Sequence, residues 1–317
     1  MRGRTNEKVA FMFPGQGSQT VGMGKEIHEA FPEVQKLYSE ANEVLGLDLR
    51  SIMFNGPQET LTETENAQPA LLLSSIAIHQ LLAEEGIKPS LVVGHSLGEY
   101  SALVAARAIS IKEALPLVAT RGRLMEEAFP RGQGTMAAVL GLSVEQISEV
   151  IRTIEDEIVD IANINCPGQI VISGSVAGIE RASVRLKESG AKRVLPLNVS
   201  GPFHSRLMKA ANEDFATYLN KVTIKDAEIP VYANVTANPV MKGIDIEELL
   251  LEQLYSPVRF EESIRNMMKS DIDAFVEIGN GKVLCGLVKK IDRKTTIFNI
   301  QDQASMNEFI TWYRGDV

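Results

Sequence analysis

At 317 residues, with 44% apolar and 23% charged residues, the chain has the profile of a globular protein built as one large domain with a smaller companion, and disordered, fibrous and repeat architectures are excluded. A formal charge of −9 argues against nucleic acid as a partner, because phosphate binding needs a basic surface that releases counterions. Two distant cysteines, Cys166 and Cys285, lack metal-type spacing and read as free thiols of a reducing compartment, so the cytoplasm is the expected location.

Arg2, Arg4 and Lys8 precede an apolar run of only Val9 to Phe13. That run is too short for the core of a secretory signal and reads as a buried strand ended by the turn Pro14-Gly15-Gln16-Gly17. Helical periodicity is expected from Lys25 to about Leu45. The longest apolar stretch, Pro69 to Ala83, carries His79 and Gln80 and is too short to cross a bilayer, so no membrane association is expected. Leu91 to Val93 reads as a second strand and leads into Gly94-His95-Ser96-Leu97-Gly98. Beyond it Leu97, Tyr100, Leu103 and Val104 recur at helical spacing. Strand, tight turn and helix in succession predict an α/β sheet.

From Gly134 to Val199 the pattern changes to strand 135–140, helix 144–156, strand 158–164, strand 169–173, helix 177–189 and strand 193–199. This βαββαβ order matches a ferredoxin-like unit. The expected organisation is therefore a catalytic α/β domain of residues 1–133 and 200–317 with a ferredoxin-like small domain, 134–199, inserted in it. The α/β theme returns with a strand at Ala274–Ile278, the turn Gly279-Asn280-Gly281 and a helix from Val283. That helix turns Leu284, Leu287, Val288 and Ile291 inward and leaves Lys289, Lys290, Arg293 and Lys294 toward solvent, a candidate basic face for an acidic partner. A last helix after Ser305, with Met306, Phe309, Ile310 and Tyr313 on one face, is expected only to cap the fold.

Gly94-x-Ser96-x-Gly98 has the spacing of a nucleophile elbow, a strained strand-to-helix turn that lifts a serine hydroxyl out of a sheet. A chance match in a chain of this length occurs about 0.1 times; the competing reading is a serine that merely caps a helix. A serine needs a base, and the chain has four histidines. His28 and His79 lie within amphipathic helices and read as packed or surface residues, and His95 adjoins the serine and reads as a wall of the pocket. His204, in Ser200-Gly201-Pro202-Phe203-His204-Ser205, remains as the base. In an elbow one oxyanion donor is the amide after the nucleophile, here that of Leu97, and the Gly15-Gln16-Gly17 turn is the candidate for the second. That turn lacks the third glycine of a dinucleotide fingerprint and the Lys-Ser/Thr of a P-loop, so phosphate binding is not expected there. No acidic residue between Ser96 and His204 announces itself as a third triad member. On the residues alone, acyl transfer and hydrolysis stand equally open.

Phe13-Pro14-Gly15-Gln16-Gly17-Ser18-Gln19, Gly94-His95-Ser96-Leu97-Gly98-Glu99-Tyr100, Asn165-Cys166-Pro167-Gly168-Gln169, Gly201-Pro202-Phe203-His204, Glu252-Gln253-Leu254-Tyr255-Ser256-Pro257 and Gly281-Lys282-Val283-Leu284 occur in this order. Together they resemble the malonyl-CoA:acyl carrier protein transacylases of bacterial fatty-acid synthesis, over roughly Val9 to Ile291. The resemblance implies an α/β-hydrolase-like large domain with a ferredoxin-like insert, and Ser96 and His204 as nucleophile and base. It places the oxyanion donors on the amides of Gln16 and Leu97. It also implies that a backbone carbonyl, here that of Gln253, orients the histidine in place of a carboxylate, and that Arg121 receives the free carboxylate of the malonyl group. Phe203, directly before the histidine, is the residue that accompanies malonyl over methylmalonyl choice in related acyltransferases. Malonyl-CoA and acyl carrier protein are the implied partners, and no metal or cofactor is implied. Asn280 departs from the proline usual in the family's Gly-Pro-Gly-Lys turn, and the segment after Thr296 matches poorly and carries no assigned role. The competing functions are a thioester or ester hydrolase with the same pair, and a non-catalytic acyl-CoA or carrier-binding protein.

Overall fold

The computed structural model describes residues 7–315; Arg2 and Arg4, and the outermost residues of the expected catalytic domain, lie outside them. The strands in chain order are β1 Val9–Phe13, β2 Leu91–Gly94, β3 Gly134–Leu140, β4 Val159–Cys166, β5 Gln169–Ser175, β6 Arg193–Pro196, β7 Val231–Tyr232, β8 Pro239–Val240, β9 Val258–Arg259, β10 Ala274–Ile278 and β11 Ile297–Ile300. They form two sheets in a mixed α/β fold.

The first sheet has the order β11-β10-β1-β2-β7-β8, parallel from β11 to β7 with β8 antiparallel at the edge. An unbroken apolar strand such as β1 belongs where helices cover both faces. Accordingly Val9, Phe11 and Phe13 pack into one core and Ala10 and Met12 into a second on the opposite face, as the two-residue period of a strand demands. Each large apolar side chain so buried contributes roughly 1.5–3 kcal/mol. The helix Thr64–Glu84 holds the longest apolar stretch and is buried in the larger core. No helix among the described residues is long and apolar enough to cross a membrane.

The second sheet has the order β6-β3-β5-β4-β9. Residues 134–199 supply four of these strands, all antiparallel, and β9 joins from outside that segment, parallel to β4. Its helices Val144–Arg152 and Val176–Glu188 cover one face through Ile147, Ile179 and Leu186. Met136 and Val171, pointing the other way, enter the core of the first sheet.

Several boundaries differ from expectation for local reasons. The helix expected from Lys25 to Leu45 is two, Lys25–Ala30 and Pro32–Leu45, because the residue before a proline is pushed out of helical conformation; Phe31 is extended at φ −127°. The strand expected to reach Val199 stops at Pro196, with one further bond to its neighbour, from Leu197 N–H to the Met136 carbonyl at 3.0 Å. The helix expected to reach Asp156 ends at Arg152, where Arg185 Nη1 takes the Thr153 carbonyl at 2.7 Å. The segment after Thr296 is edge strand β11, and Phe298 on it packs against Phe309 and Trp312 of the helix Gln303–Arg314. Lys289 is half-exposed, and its ammonium donates to the Arg293 and Thr295 carbonyls at 3.1 and 2.6 Å, closing the end of its helix. Asn280 Nδ2 donates to the Ser18 carbonyl at 2.6 Å, tying its turn to the loop after β1.

Candidate active site

Ser96 sits between β2 and the helix Gly98–Ala105 in the left-handed region at φ 55°. The flanking glycines are required by contact. A Cβ on residue 94 would stand 1.8 Å from the Gly98 carbonyl carbon, and one on residue 98 would stand 2.0 Å from the Phe13 carbonyl oxygen. A non-glycine residue with positive φ needs its surroundings to hold it, and both backbone polar groups of Ser96 are held by side chains from outside the elbow. Its N–H donates to Asn234 Oδ1 at 2.9 Å, and its carbonyl accepts from Gln253 Nε2 at 3.0 Å. Asn234 Nδ2 donates in turn to the Gly94 carbonyl at 2.7 Å.

His204 also adopts a positive φ, 59°. Its Nε2 lies 2.7 Å from Ser96 Oγ, and its Nδ1 lies 2.9 Å from the Gln253 carbonyl oxygen. A carbonyl only accepts, so Nδ1 carries the hydrogen and Nε2 is the acceptor for the serine hydroxyl. Burial, reinforced by the positive charge of Arg121, pushes the imidazole down to about 3. A neutral imidazole thus faces a hydroxyl, the arrangement that activates a serine as a nucleophile.

Arg121, on the helix Ile111–Glu127, is 1% exposed. Nη1 donates to Gln68 Oε1 at 2.7 Å and Nη2 to Gln253 Oε1 at 2.8 Å, Nη2 also lies 3.4 Å from Ser96 Oγ, and the guanidinium covers the Tyr100 ring at 5.4 Å. Among the described residues no carboxylate hydrogen-bonds to it. The nearby Glu99 is 3% exposed and spends its Oε1 on the Asn234 amide. Burial pushes its carboxyl up to about 7, against the pull of that amide and of Arg121. A buried guanidinium oriented by two neutral amides keeps its charge for an anion, since burying it unpaired is otherwise costly.

The Gly15–Gly17 turn lies against the elbow: a Cβ on Gly15 would stand 2.2 Å from the His95 carbonyl oxygen and 3.7 Å from the Leu97 nitrogen. Within it Ser18 N–H donates to the Gly15 carbonyl and Gly17 N–H to Gln19 Oε1. Neither the Gln16 nor the Leu97 amide has an acceptor among the described residues. A cleft of about 820 Å³ opens beside Gln16, walled by Thr64, Glu126 and Ser200 among others. Ser96 and His204 do not line this cleft, and Gln16 is common to it and to the elbow's neighbourhood.

The other histidines are engaged elsewhere. His95 Nε2 is 2.7 Å from Asn165 Oδ1 with its ring tilted on Phe260. His79 packs edge-on against Phe11 and Phe13, and His28 against Tyr38 and Phe54. Phe203 is 5% exposed and belongs to the larger core. Four groups of the site were not singled out from sequence: Gln68, Asn234, the carboxyl of Glu99 and the side chain of Gln253. Glu99 and Gln253 lay within motifs; Asn234, two residues past β7, is brought in by the pairing of β7 with β2.

A family model described as acyl transferase domain matches residues 10–304. The malonyl CoA-acyl carrier protein transacylase of Bacillus subtilis (strain 168) is 53% identical over 297 residues, 93% of this chain and 94% of that protein. The solved acyl carrier protein S-malonyltransferase of Vibrio cholerae O1 biovar eltor is 43% identical with a TM-score of 0.93, covering 96% of this chain and all of that one. The malonyl-transacylase PlMCAT, solved in complex with the type II PKS acyl-carrier protein AntF, is 41% identical with a TM-score of 0.94, covering 98% of this chain and 100% of that chain. With similarity running through nearly the whole sequence and fold, the chain belongs to the acyl transferase domain family and, within it, to the malonyl CoA-acyl carrier protein transacylases.

Proposed function

We propose that this protein transfers the malonyl group of malonyl-CoA to the phosphopantetheine thiol of acyl carrier protein, supplying the extender unit for fatty-acid synthesis, through an ester on Ser96. Ser96 Oγ attacks the thioester carbonyl as His204 Nε2 takes its proton. The amides of Gln16 and Leu97 receive the developing oxyanion. Collapse expels coenzyme A, whose thiolate takes the proton back from His204. The carrier-protein thiol then repeats the sequence in reverse, giving its proton to His204 and displacing the serine. Gln253 orients the base through its carbonyl and grips Ser96 and Arg121 through its side chain.

The observation that carries the reading is Arg121, a buried charge with no carboxylate hydrogen-bonded to it among the described residues, 3.4 Å from the nucleophile's oxygen. A malonyl ester on Ser96 ends in the carboxylate this guanidinium lacks. The relatives' names and the PlMCAT complex with a carrier protein support the same substrate and partner. The strand order β6-β3-β5-β4 supports a ferredoxin-like small domain at 134–199, and the largely parallel first sheet with its elbow supports an α/β-hydrolase-like domain of 1–133 and 200–317. A cytoplasmic location fits the two free, buried thiols.

With labelled malonyl-CoA and holo-acyl carrier protein, label is expected on the carrier protein with little released to water; release chiefly as free malonate identifies a hydrolase instead. The base must be neutral, and its pKa is lowered, so single-turnover malonylation should hold its rate as pH falls through 6.5 and decline only as pH approaches about 3. Half-loss centred near 6.5 would show an imidazole of ordinary basicity and contradict the buried geometry.

A further inference from the structure

One carboxylate at the edge of the site joins three segments that carry site residues. Glu126 lies on the same helix as Arg121, and its Oε2 accepts two hydrogen bonds, from Thr64 Oγ1 at 3.2 Å and from Ser200 Oγ. The Thr64 oxygen accepts in turn from Gln16 Nε2 at 3.2 Å. The result is a continuous chain from Gln16 through Thr64 to Glu126, with Ser200 arriving from the other side. Each link belongs to a segment that carries a site residue: the turn with the Gln16 amide, the helix with Gln68, the helix with Arg121, and the stretch that ends at His204. All four line the cleft beside the elbow.

The approach is built into the backbone. A Cβ on Gly122 would stand 2.5 Å from the Thr64 carbonyl oxygen, so glycine there lets the two helices close until Glu126 reaches Thr64. A Cβ on Gly134 would stand 2.4 Å from Pro202 Cδ, so a second glycine seats the stretch between Ser200 and His204. The neighbouring Arg123 pairs with Glu127 at 3.2 Å. A carboxylate oxygen has two lone pairs, one for each hydroxyl donor, and bonds them more strongly than the oxygen of a neutral amide.

We propose that Glu126 is a positioning residue for acyl transfer: its carboxylate ties the Gln16 turn and the His204 segment to the Arg121 helix, holding oxyanion donor, base and carboxylate receptor in one geometry. The proposal rests on the roles given above to Gln16, His204 and Arg121. Small displacements of such groups reduce rate more than binding.

The test compares wild type, Glu126→Ala, Glu126→Gln, Thr64→Val and the Glu126→Ala/Thr64→Val double variant, reading single-turnover malonylation by malonyl-CoA, KM and melting temperature. Glu126→Ala is expected to slow malonylation by about tenfold or more, with a smaller change in KM. Glu126→Gln, which keeps an acceptor oxygen, is expected to recover part of the rate. Because Thr64 acts through Glu126, the double variant should be no slower than Glu126→Ala. If Glu126→Ala does not fold, Thr64→Val and Ser200→Ala carry the test, each expected to slow malonylation at an unchanged melting temperature. A Glu126→Ala rate within about twofold of wild type overturns the proposal, as does a double variant slowed by the product of the two single factors. Failure of the wild type itself to take up malonyl strikes the functional reading instead, so the two failures are distinguishable.

Discussion

Replacing His204 with alanine slows malonylation of Ser96 by roughly 10²–10⁴-fold, the range of a positioned general base. The imidazole is the group placed to take the serine proton, at 2.7 Å, and it is kept neutral by burial and by the charge of Arg121. The Gln253 carbonyl fixes its tautomer and leaves Nε2 as acceptor. Alanine removes the proton acceptor but leaves the left-handed backbone of residue 204 and its bracing by Ser205, whose Oγ donates to the Pro202 carbonyl at 2.6 Å. The fold should survive, which circular dichroism and melting would verify. His95→Ala serves as the contrast, because its ring is committed to Asn165 and Phe260. Burst kinetics with malonyl-CoA measure both variants, and a loss in His95→Ala equal to that in His204→Ala would reverse the assignment of the base.

Arg121→Ala should lower malonyl transfer by roughly ten- to 150-fold, corresponding to about 1.5–3 kcal/mol for a charge-assisted hydrogen-bonded contact. Acetyl transfer should fall much less or improve, since an acetyl group leaves the guanidinium charge without a counter-ion. Arg121→Lys should not restore selectivity. The planar fork meets Gln68, Gln253 and the serine oxygen at once, and a lysine ammonium cannot reproduce those directions. The measured quantity is the ratio of kcat/KM for malonyl-CoA and acetyl-CoA in the three proteins. An unchanged ratio would remove Arg121 as the carboxylate receptor and shift malonyl selectivity to another part of the pocket.

How far the site was legible in the sequence follows from how local each requirement is. The elbow could be read directly, because two glycines two residues either side of a serine answer a backbone contact that no other residue permits. His204 followed by elimination among four histidines, a count small enough to decide. The roles of Arg121 and the Gln253 carbonyl came only from the family resemblance, since helical periodicity does not distinguish a buried arginine from a solvated one. Asn234 and the side chain of Gln253 escaped because they reach Ser96 across sequence separations of 138 and 157, through a sheet order that local patterns do not encode. In the fold, the long buried strands and the βαββαβ unit were readable from apolar periodicity. The two-residue strands β7, β8 and β9 were not, because a period cannot be detected over two residues.

The central claim is that Ser96 carries the malonyl group between donor and acceptor. Incubating the protein with malonyl-CoA alone and measuring its intact mass, followed by peptide mapping, tests this most directly, because acylation needs no second acceptor. One malonyl group on Ser96, absent from Ser96→Ala and discharged on adding holo-acyl carrier protein, is the expected result. An adduct that persists in Ser96→Ala, or one that the carrier-protein thiol cannot discharge, would contradict it.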